Sequence, residues 1–401
     1  MLQGVNVALG VSGSIAAVKV VELAHELRRQ GASVRAVMTD SARGILHPWA
    51  VEFATENSVV TEITGRVEHV ELCGREGWAD VLLLAPATAN TVGKIAAAVD
   101  DTPVTTCATT ALGAGMPVVV APAMHEPMYD HPGVLDAIER VESWGVSFVD
   151  PRIEEGKAKI ATEEAIVTDV ARVTTEQSLS GTHVVVTSGA TSERIDPIRL
   201  LTNRASGRTG REVARACYVR GADVTLVHDG PDVFYAAVER VESAAEMLDA
   251  VEAACAGDTD GNGGDGDDES AADALVSAAA ISDFTVDAAA EKIRSGEART
   301  LELTPTPKLV DTVRDAHPNL PIVGFKAETS GDDESMVDEA TRILDRASLS
   351  FVVANDASVM GESTTRALFV REDGVVGEYV GDKTGLGGRV ADELAAELDE
   401  N

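Results

Sequence analysis

The 401-residue sequence is short of several things at once, and each shortage removes a class of function. It has four cysteines, Cys73, Cys107, Cys217 and Cys255, none in a C-x-x-C pair, so neither a zinc knuckle nor a disulfide framework is expected. A reducing compartment, the cytoplasm, fits that usage. Lysine is scarce, 8 residues against 25 arginines, and the 33 basic residues face 67 acidic ones, for a formal net charge of −34. Such a surface repels nucleic acid and anionic membranes, which excludes both as partners. An acid excess along the whole chain with few lysines suits a salt-loaded cytoplasm, where dense cations screen the self-repulsion. No apolar run approaches the roughly 20 residues of a membrane span. The opening stretch also lacks the basic region of a targeting segment: the first cation is Lys19, and Glu22 and His25 interrupt the apolar run.

What is present is an alternation. The run "NVALGVS" reads as a buried strand, "GSIAAVKVVELAHELRRQG" has helical spacing that stops at a glycine, and "ASVRAVMTD" is a second strand. "ADVLLLAPATAN", "MPVVVAPAMH" and "VSFVDP" are further apolar strands running into polar or Pro-rich loops. Residues 172–182, "RVTTEQSLSGT", lose the apolar pattern and read as a linker. The theme then repeats in "HVVVTSGATSE", "GRTGREVARACYVRG" and "ADVTLVHDG". Strands alternating with helices predict an α/β chain of two doubly wound domains in tandem, with ligand-binding loops at the carboxyl edge of each sheet. With 44% hydrophobic residues the chain has material for two cores. The domains are expected at 1–175 and 182–401. The stretch "AGDTDGNGGDGDDES", 256–270, has an Asp-Gly look of calcium loops but lacks the terminal Glu and flanking helices of an EF-hand, and reads as a solvated acidic insertion.

Several short motifs carry chemistry. Gly10-Val11-Ser12-Gly13-Ser14 ends a strand in small residues and opens a helix, which offers backbone N–H groups and two hydroxyls to a phosphate. The spacing is not G-x-G-x-x-G, so a dinucleotide is not indicated, and close helix–strand packing is the competing explanation. "APATANT" places Thr88 and Asn90 after a central strand, where short polar side chains also cap helices. "VEHVELCGREGWAD" puts His69 just before an apolar strand, and "APAMHEPMYDHPG" puts His125 in a Pro-rich loop that reads as a ligand clamp.

Together these residues make the N-terminal half similar to the flavin-dependent cysteine decarboxylases, which carry a G-x-S-G-S-I-A-A turn, a histidine before L-x-x-W-A-D, an A-P-A-T-A-N loop and a P-x-M-N-x-x-M loop. The C-terminal half resembles phosphopantothenate–cysteine ligase through "TSGATSERIDPIRLLTNRASGRTG", "AAAISDF" with "EKIRS", "GFKAET" and "VVANDAS". The tandem order is that of the bifunctional phosphopantothenoylcysteine decarboxylase and phosphopantothenate–cysteine ligase family of coenzyme A synthesis; with the acidic composition, a haloarchaeal source is expected. The resemblance implies a flavodoxin-like flavoprotein domain followed by a Rossmann-like ligase domain. It implies FMN held by Gly13 and Ser14 at the phosphate, with Thr88 and Asn90 nearby and Ser41 of "TDSARG" a further contact. His69 matches the catalytic histidine, and imidazole suits proton transfer near neutral pH. Two departures stand out. His125 replaces the usual clamp asparagine, and the flap segment "PRIEEGKAKIA" lacks the family's cysteine, leaving Lys157 or Lys159 as alternative donors or an altered first activity.

For the ligase half the resemblance implies CTP, usual in bacterial members, with Mg²⁺, although the sequence does not separate CTP from ATP and no metal ligand is indicated. Asn203 matches the residue that forms or holds the acyl intermediate, and Lys292 the first lysine of K-x-K-K, followed here by Arg294 and Ser295. The competing explanation for Lys292 is a solvated surface cation. Nucleotide contacts are expected from Ser277, Ala278, Ala279 and Asp283, from the loop Pro307, Lys308, Leu309 and Val310, and from Phe325. Arg342 and Arg346 stand in for phosphate-binding lysines. The partners implied are 4'-phosphopantothenate, cysteine and 4'-phosphopantothenoylcysteine, and further copies of the chain in a homo-oligomer, with a dodecamer among the assemblies allowed. Two other functions stay open: a flavin-binding regulatory protein without decarboxylase activity, for which the missing flap cysteine speaks, and a flavin prenyltransferase, which shares the glycine–serine turn but has no use for a second domain.

Overall fold

The computed structural model describes residues 1–154, 157–257, 271–296, 298–328, 332–356 and 364–399. Most of the acidic stretch, 258–270, lies outside the described residues. The chain forms two compact units, Met1–Glu176 and Gln177–Asn401.

In the first unit five parallel strands lie in the order Ser33–Met38, Asn6–Val11, Val81–Ala87, Val118–Pro122, Ser147–Phe148. Parallel strands are covered on both faces, which is why Val81–Ala87 is apolar and buried at every position. Helix Val20–Arg29 buries Val20, Leu23, Ala24 and Leu27 on one stripe. Each buried valine or leucine contributes about 1.5–3 kcal/mol. The helix does not begin at Gly13, as the spacing predicts. Ile15–Lys19 is a 3-10 turn, capped by the Ser14 hydroxyl accepting from the Ala16 N–H at 3.3 Å. The predicted linker also starts later than expected: residues 172–174 finish helix Glu163–Thr174, whose Val170 and Ala171 are buried. A separate three-stranded sheet pairs Met124–His125 with Lys157–Lys159 and the latter with Arg152–Glu154, all antiparallel.

The second unit has an eight-stranded sheet in the order Ala237–Arg240, Asp223–His228, His183–Thr187, Ala274–Ser277, Ile322–Glu328, Phe351–Asp356, Thr365–Arg371, Gly374–Gly381. The first six strands are parallel, Thr365–Arg371 runs antiparallel to them, and Gly374–Gly381 runs antiparallel to Thr365–Arg371. Alternation along the strands feeds two cores. Val184 and Val186 pack with helices Arg208–Val219 and Lys383–Asp399, while Val185 faces Met247, Val251, Leu309, Val313, Met336 and Leu344 from the helices of the other face.

In each sheet the chain order reverses beside its first strand: at Asn6–Val11, flanked by Ser33–Met38 and Val81–Ala87, and at His183–Thr187, flanked by Asp223–His228 and Ala274–Ser277. Loops leaving neighbouring strands diverge at such a point, and the crevice between them is where open α/β sheets bind ligands. The four cysteines are buried and free.

Candidate functional site

At the reversal point of the first unit, three consecutive residues tie the loops of four strands together. Ser12, itself buried, donates its hydroxyl to the Pro86 carbonyl at 2.6 Å and accepts from the Thr88 N–H at 3.0 Å. Gly13 abuts the next loop so closely that a Cβ there would stand 2.3 Å from Ser41 Cβ, and its N–H has no acceptor among the described residues. Ser14 donates to the Ala123 carbonyl at 3.1 Å. Gly13, Ser14, Ser41 and Thr88 are therefore brought together. Thr88 also caps helix Ala89–Ala96 by accepting from the Thr91 N–H, and Asn90 stands exposed in its first turn. The result is a cradle of small side chains with helix N-termini at its rim, which suits an anionic phosphate. Only glycine fits at position 13, since any larger side chain would enter Ser41.

His69 is on the short helix Glu68–Cys73, which buries Leu72 and Cys73 against the core shared with helix Pro103–Ala114. Its ring is half-buried, and Nδ1 has no hydrogen-bond partner among the described residues. A buried ring nitrogen left unpaired is costly unless a ligand meets it. His125 is exposed at the end of strand Met124–His125, in register with Lys157 of the flap ribbon, and its side chain makes no capping bond to the following helix.

The second unit builds its crevice from segments far apart in sequence. The Thr187 hydroxyl accepts from the Ala279 N–H at 3.2 Å, and the Thr191 hydroxyl from the Ser282 N–H at 2.8 Å. Asn203 donates through Nδ2 to the Ala280 carbonyl at 2.9 Å, which anchors it to the residue that directly follows Ser277, Ala278 and Ala279 in the chain. Asp283 and Lys308 form an ion pair, and the Thr306 N–H donates to the Asp283 carbonyl at 3.0 Å, joining two segments expected to share a ligand. Leu309 is buried, Val310 packs against the second core and Phe325 against the first, while Pro307 is exposed. Gly207, at φ 69°, opens helix Arg208–Val219, and a Cβ there would meet the Gly189 nitrogen at 2.9 Å. Arg342 and Arg346 are engaged by Glu339 at 2.7 Å and Asp311 at 3.2 Å, so an anion would have to displace carboxylates. Among the described residues no group of three or more His, Cys, Asp or Glu side chains forms a metal cage, and no helix is long and apolar enough to cross a membrane.

Lys292 is exposed on an irregular stretch, and its neighbour Ile293 is docked to the body. The Ile293 N–H donates to Asp196 Oδ2 at 3.1 Å, and the Arg199 guanidinium donates to the Ile293 carbonyl at 3.0 Å. Burial opposes ionisation of Asp196, but N–H donors from Ile198, Ile293 and Arg199, together with the Arg199 guanidinium, outweigh it and hold the carboxyl at about 2. Sequence reasoning missed Asp196. Its available signal was an aspartate directly before proline in a turn between two short strands.

Residues 1–175 match the family described as Flavoprotein, and residues 179–398 the family described as DNA/pantothenate metabolism flavoprotein C-terminal domain. The chain is similar to the coenzyme A biosynthesis bifunctional protein CoaBC of Thermococcus kodakarensis, 47% identical over 93% of this chain and 90% of the relative. The corresponding CoaBC of Bacillus subtilis is 33% identical over 90% of this chain and 88% of that protein. Among solved structures, a mutant PPC decarboxylase complexed with pantothenoylaminoethenethiol is 31% identical, over 41% of this chain and 96% of that one, with a TM-score of 0.36. With both units matched in tandem and the similarity running through almost the whole chain, it belongs to the bifunctional coenzyme A biosynthesis family, a flavoprotein domain joined to a pantothenate-metabolism domain.

Proposed function

We propose that the chain performs two successive steps of coenzyme A biosynthesis in the cytoplasm. The second unit joins 4'-phosphopantothenate to cysteine at the expense of CTP, and the first removes the cysteine carboxylate from 4'-phosphopantothenoylcysteine to leave 4'-phosphopantetheine. The observation that carries the reading is the meeting of Gly13, Ser14, Ser41 and Thr88 in one cradle beneath helix N-termini.

FMN fits that cradle, with its phosphate at Gly13 and Ser14 and further contacts from Ser41, Thr88 and Asn90. Bound there it supplies a reversible two-electron acceptor, which decarboxylation needs because a cysteine side chain has no electron sink of its own. His69 takes up the substrate thiol proton on its ring, and His125 donates a hydrogen bond to the substrate carboxylate. Lys157, in register with His125, and Lys159 take the donor role that a flap cysteine fills in relatives.

In the ligase unit the pantothenate carboxylate attacks the nucleotide α-phosphorus and expels pyrophosphate. The cysteine amine then displaces the nucleoside monophosphate to form the amide. Asn203 holds the activated acyl group, and Lys292 balances the charge on the phosphate of the departing nucleoside monophosphate as the amine displaces it. Ser277, Ala278, Ala279, Asp283, the loop Pro307–Val310 and Phe325 receive the nucleotide, and Arg342 and Arg346 exchange their carboxylate partners for phosphates. Mg²⁺ enters on the triphosphate, since that ion is bound chiefly by phosphate oxygens and water. Copies of the chain associate through the first unit, where Ile15, Trp49 and Phe53 are 76%, 75% and 76% exposed.

The test is direct. Purified protein should carry or take up FMN, release pyrophosphate from CTP only with phosphopantothenate present, and evolve carbon dioxide once cysteine is added. Flavin binding and amide formation without carbon dioxide would favour a regulatory flavoprotein unit, the reading supported by the missing flap cysteine. Absence of both flavin binding and amide formation would overturn the assignment.

A further inference from the structure

Asp196 is a carboxylate with no exposed side-chain surface, placed at the tip of the hairpin that pairs Ser192–Arg194 with Leu200–Thr202. Its two oxygens do different things. Oδ1 accepts from the Ile198 and Arg199 N–H groups, both at 2.9 Å, and closes the tip of the hairpin. Oδ2 accepts from the Ile293 N–H and from the Arg199 guanidinium, which reaches on to the Ile293 carbonyl. Ile293 is thus gripped at both of its backbone polar groups. One more bond, from the Ala289 N–H to the Ile195 carbonyl at 2.9 Å, fastens the same stretch to the same hairpin. None of the described residues within 287–303 lies in a helix or strand, so these bonds fix the path of the segment. Directly before Ile293 comes Lys292. The hairpin's other strand runs straight into Asn203, itself fixed to the Ala280 carbonyl.

We propose that Asp196 is a positioning residue of the ligase site: through Ile293 it sets where Lys292 stands relative to Asn203. The inference rests on the ligase reading above. An irregular segment carrying a cation needs such a clamp, because a displacement of about 1 Å at a reacting group costs on the order of 100-fold in rate. A buried carboxylate is a costly clamp unless its lone pairs are met, and here four donors meet them.

Asp196→Asn separates positioning from plain stability. The amide keeps an acceptor for the two N–H groups of the turn, but sets its NH₂ against the Ile293 N–H and the Arg199 guanidinium, donor against donor. The Ile293 amide, followed by hydrogen exchange in the full-length protein, should exchange at least about tenfold faster in the variant while the sheet amides stay protected. Amide formation should fall at least about tenfold, with pyrophosphate release from CTP and phosphopantothenate within about twofold of the parent. Adding Asp196→Asn to Lys292→Gln should cost little more than Lys292→Gln alone, since both act through one group. Asp196→Glu, which keeps both acceptors, should recover part of the amide rate. An unchanged Ile293 exchange rate, equal loss of both half-reactions, or multiplicative effects in the double variant would each overturn the proposal. Parent protein that forms no amide at all would overturn the ligase reading instead, because the exchange measurement needs no catalysis.

Discussion

In the first unit the candidate site is drawn together by three adjacent residues, Ser12, Gly13 and Ser14, which reach Pro86, Thr88, Ser41 and Ala123. In the second unit the corresponding work is spread over Thr187, Thr191, Asp196 and Asn203, which hold Ala279, Ser282, Ile293 and Ala280. Both sit where a parallel sheet reverses its strand order, yet they fail differently. A cradle packed from small side chains is sensitive above all to added volume. A crevice assembled from irregular segments tolerates volume better, and depends on every buried polar group finding its partner.

The largest effect that can break this contrast is expected at His69. His69→Asn should lower carbon dioxide release on the order of 1,000-fold, leaving FMN binding and amide formation intact, because only proton transfer at one ring is removed; retained turnover would take His69 out of the mechanism. Lys292→Gln comes next. Amide formation should drop about 100-fold while pyrophosphate release continues and the flavin unit is untouched, which quenched-flow product analysis can read. Normal amide yield would make Lys292 a surface cation after all.

Gly13→Ala tests the volume side. The new methyl must displace Ser41 backbone and Cβ, at a cost of about 1–3 kcal/mol, and flavin titration should show weaker binding with the ligase unit unaffected. Wild-type affinity would show that the cradle yields. The acid limb of the unfolding curve tests the polar side. Asp196 is held at about 2, below the 3.8 usual for aspartate, so its contribution is complete above about pH 4 and is lost as pH falls toward 2. Melting of the second unit followed between about pH 5 and 2 should steepen there in the parent and lose that component in Asp196→Asn. The smallest effect is expected from salt. With a net charge of −34, raising KCl from about 0.1 to about 2 M should lift the melting temperature of both units by a few degrees. A shift confined to one unit would tie the acidic surface to that unit rather than to the solvent the chain inhabits.

Much of this architecture was legible in the residues. Strands such as "VLLLAPA" announce themselves by unbroken burial, and Val20, Leu23, Ala24 and Leu27 by helical spacing. Residues near one another in sequence were read well: the Gly13–Ser14 turn and Thr88 could be placed at strand ends without coordinates. What escaped lies between distant residues. Asp196 and Ile293 are 97 positions apart, and Ser12 and Pro86 are 74 apart, separations at which neither periodicity nor turn chemistry carries a signal. The 3-10 turn at Ile15–Lys19 escaped for the opposite reason, since a local hydroxyl cap overrode helical spacing. The pairing of Asp283 with Lys308 and the engagement of Arg342 by Glu339 required the folded chain.

Every strand of the first sheet has been made by Phe148 and its last helix by Thr174, so nothing downstream is needed to complete it. While a ribosome is still polymerising the second half, the emerged portion has everything required to fold. The second half enjoys no such head start: Asn203 leaves the tunnel well before Ile293, and the hairpin bearing it must wait for a backbone amide about a hundred codons later before its anchor is satisfied.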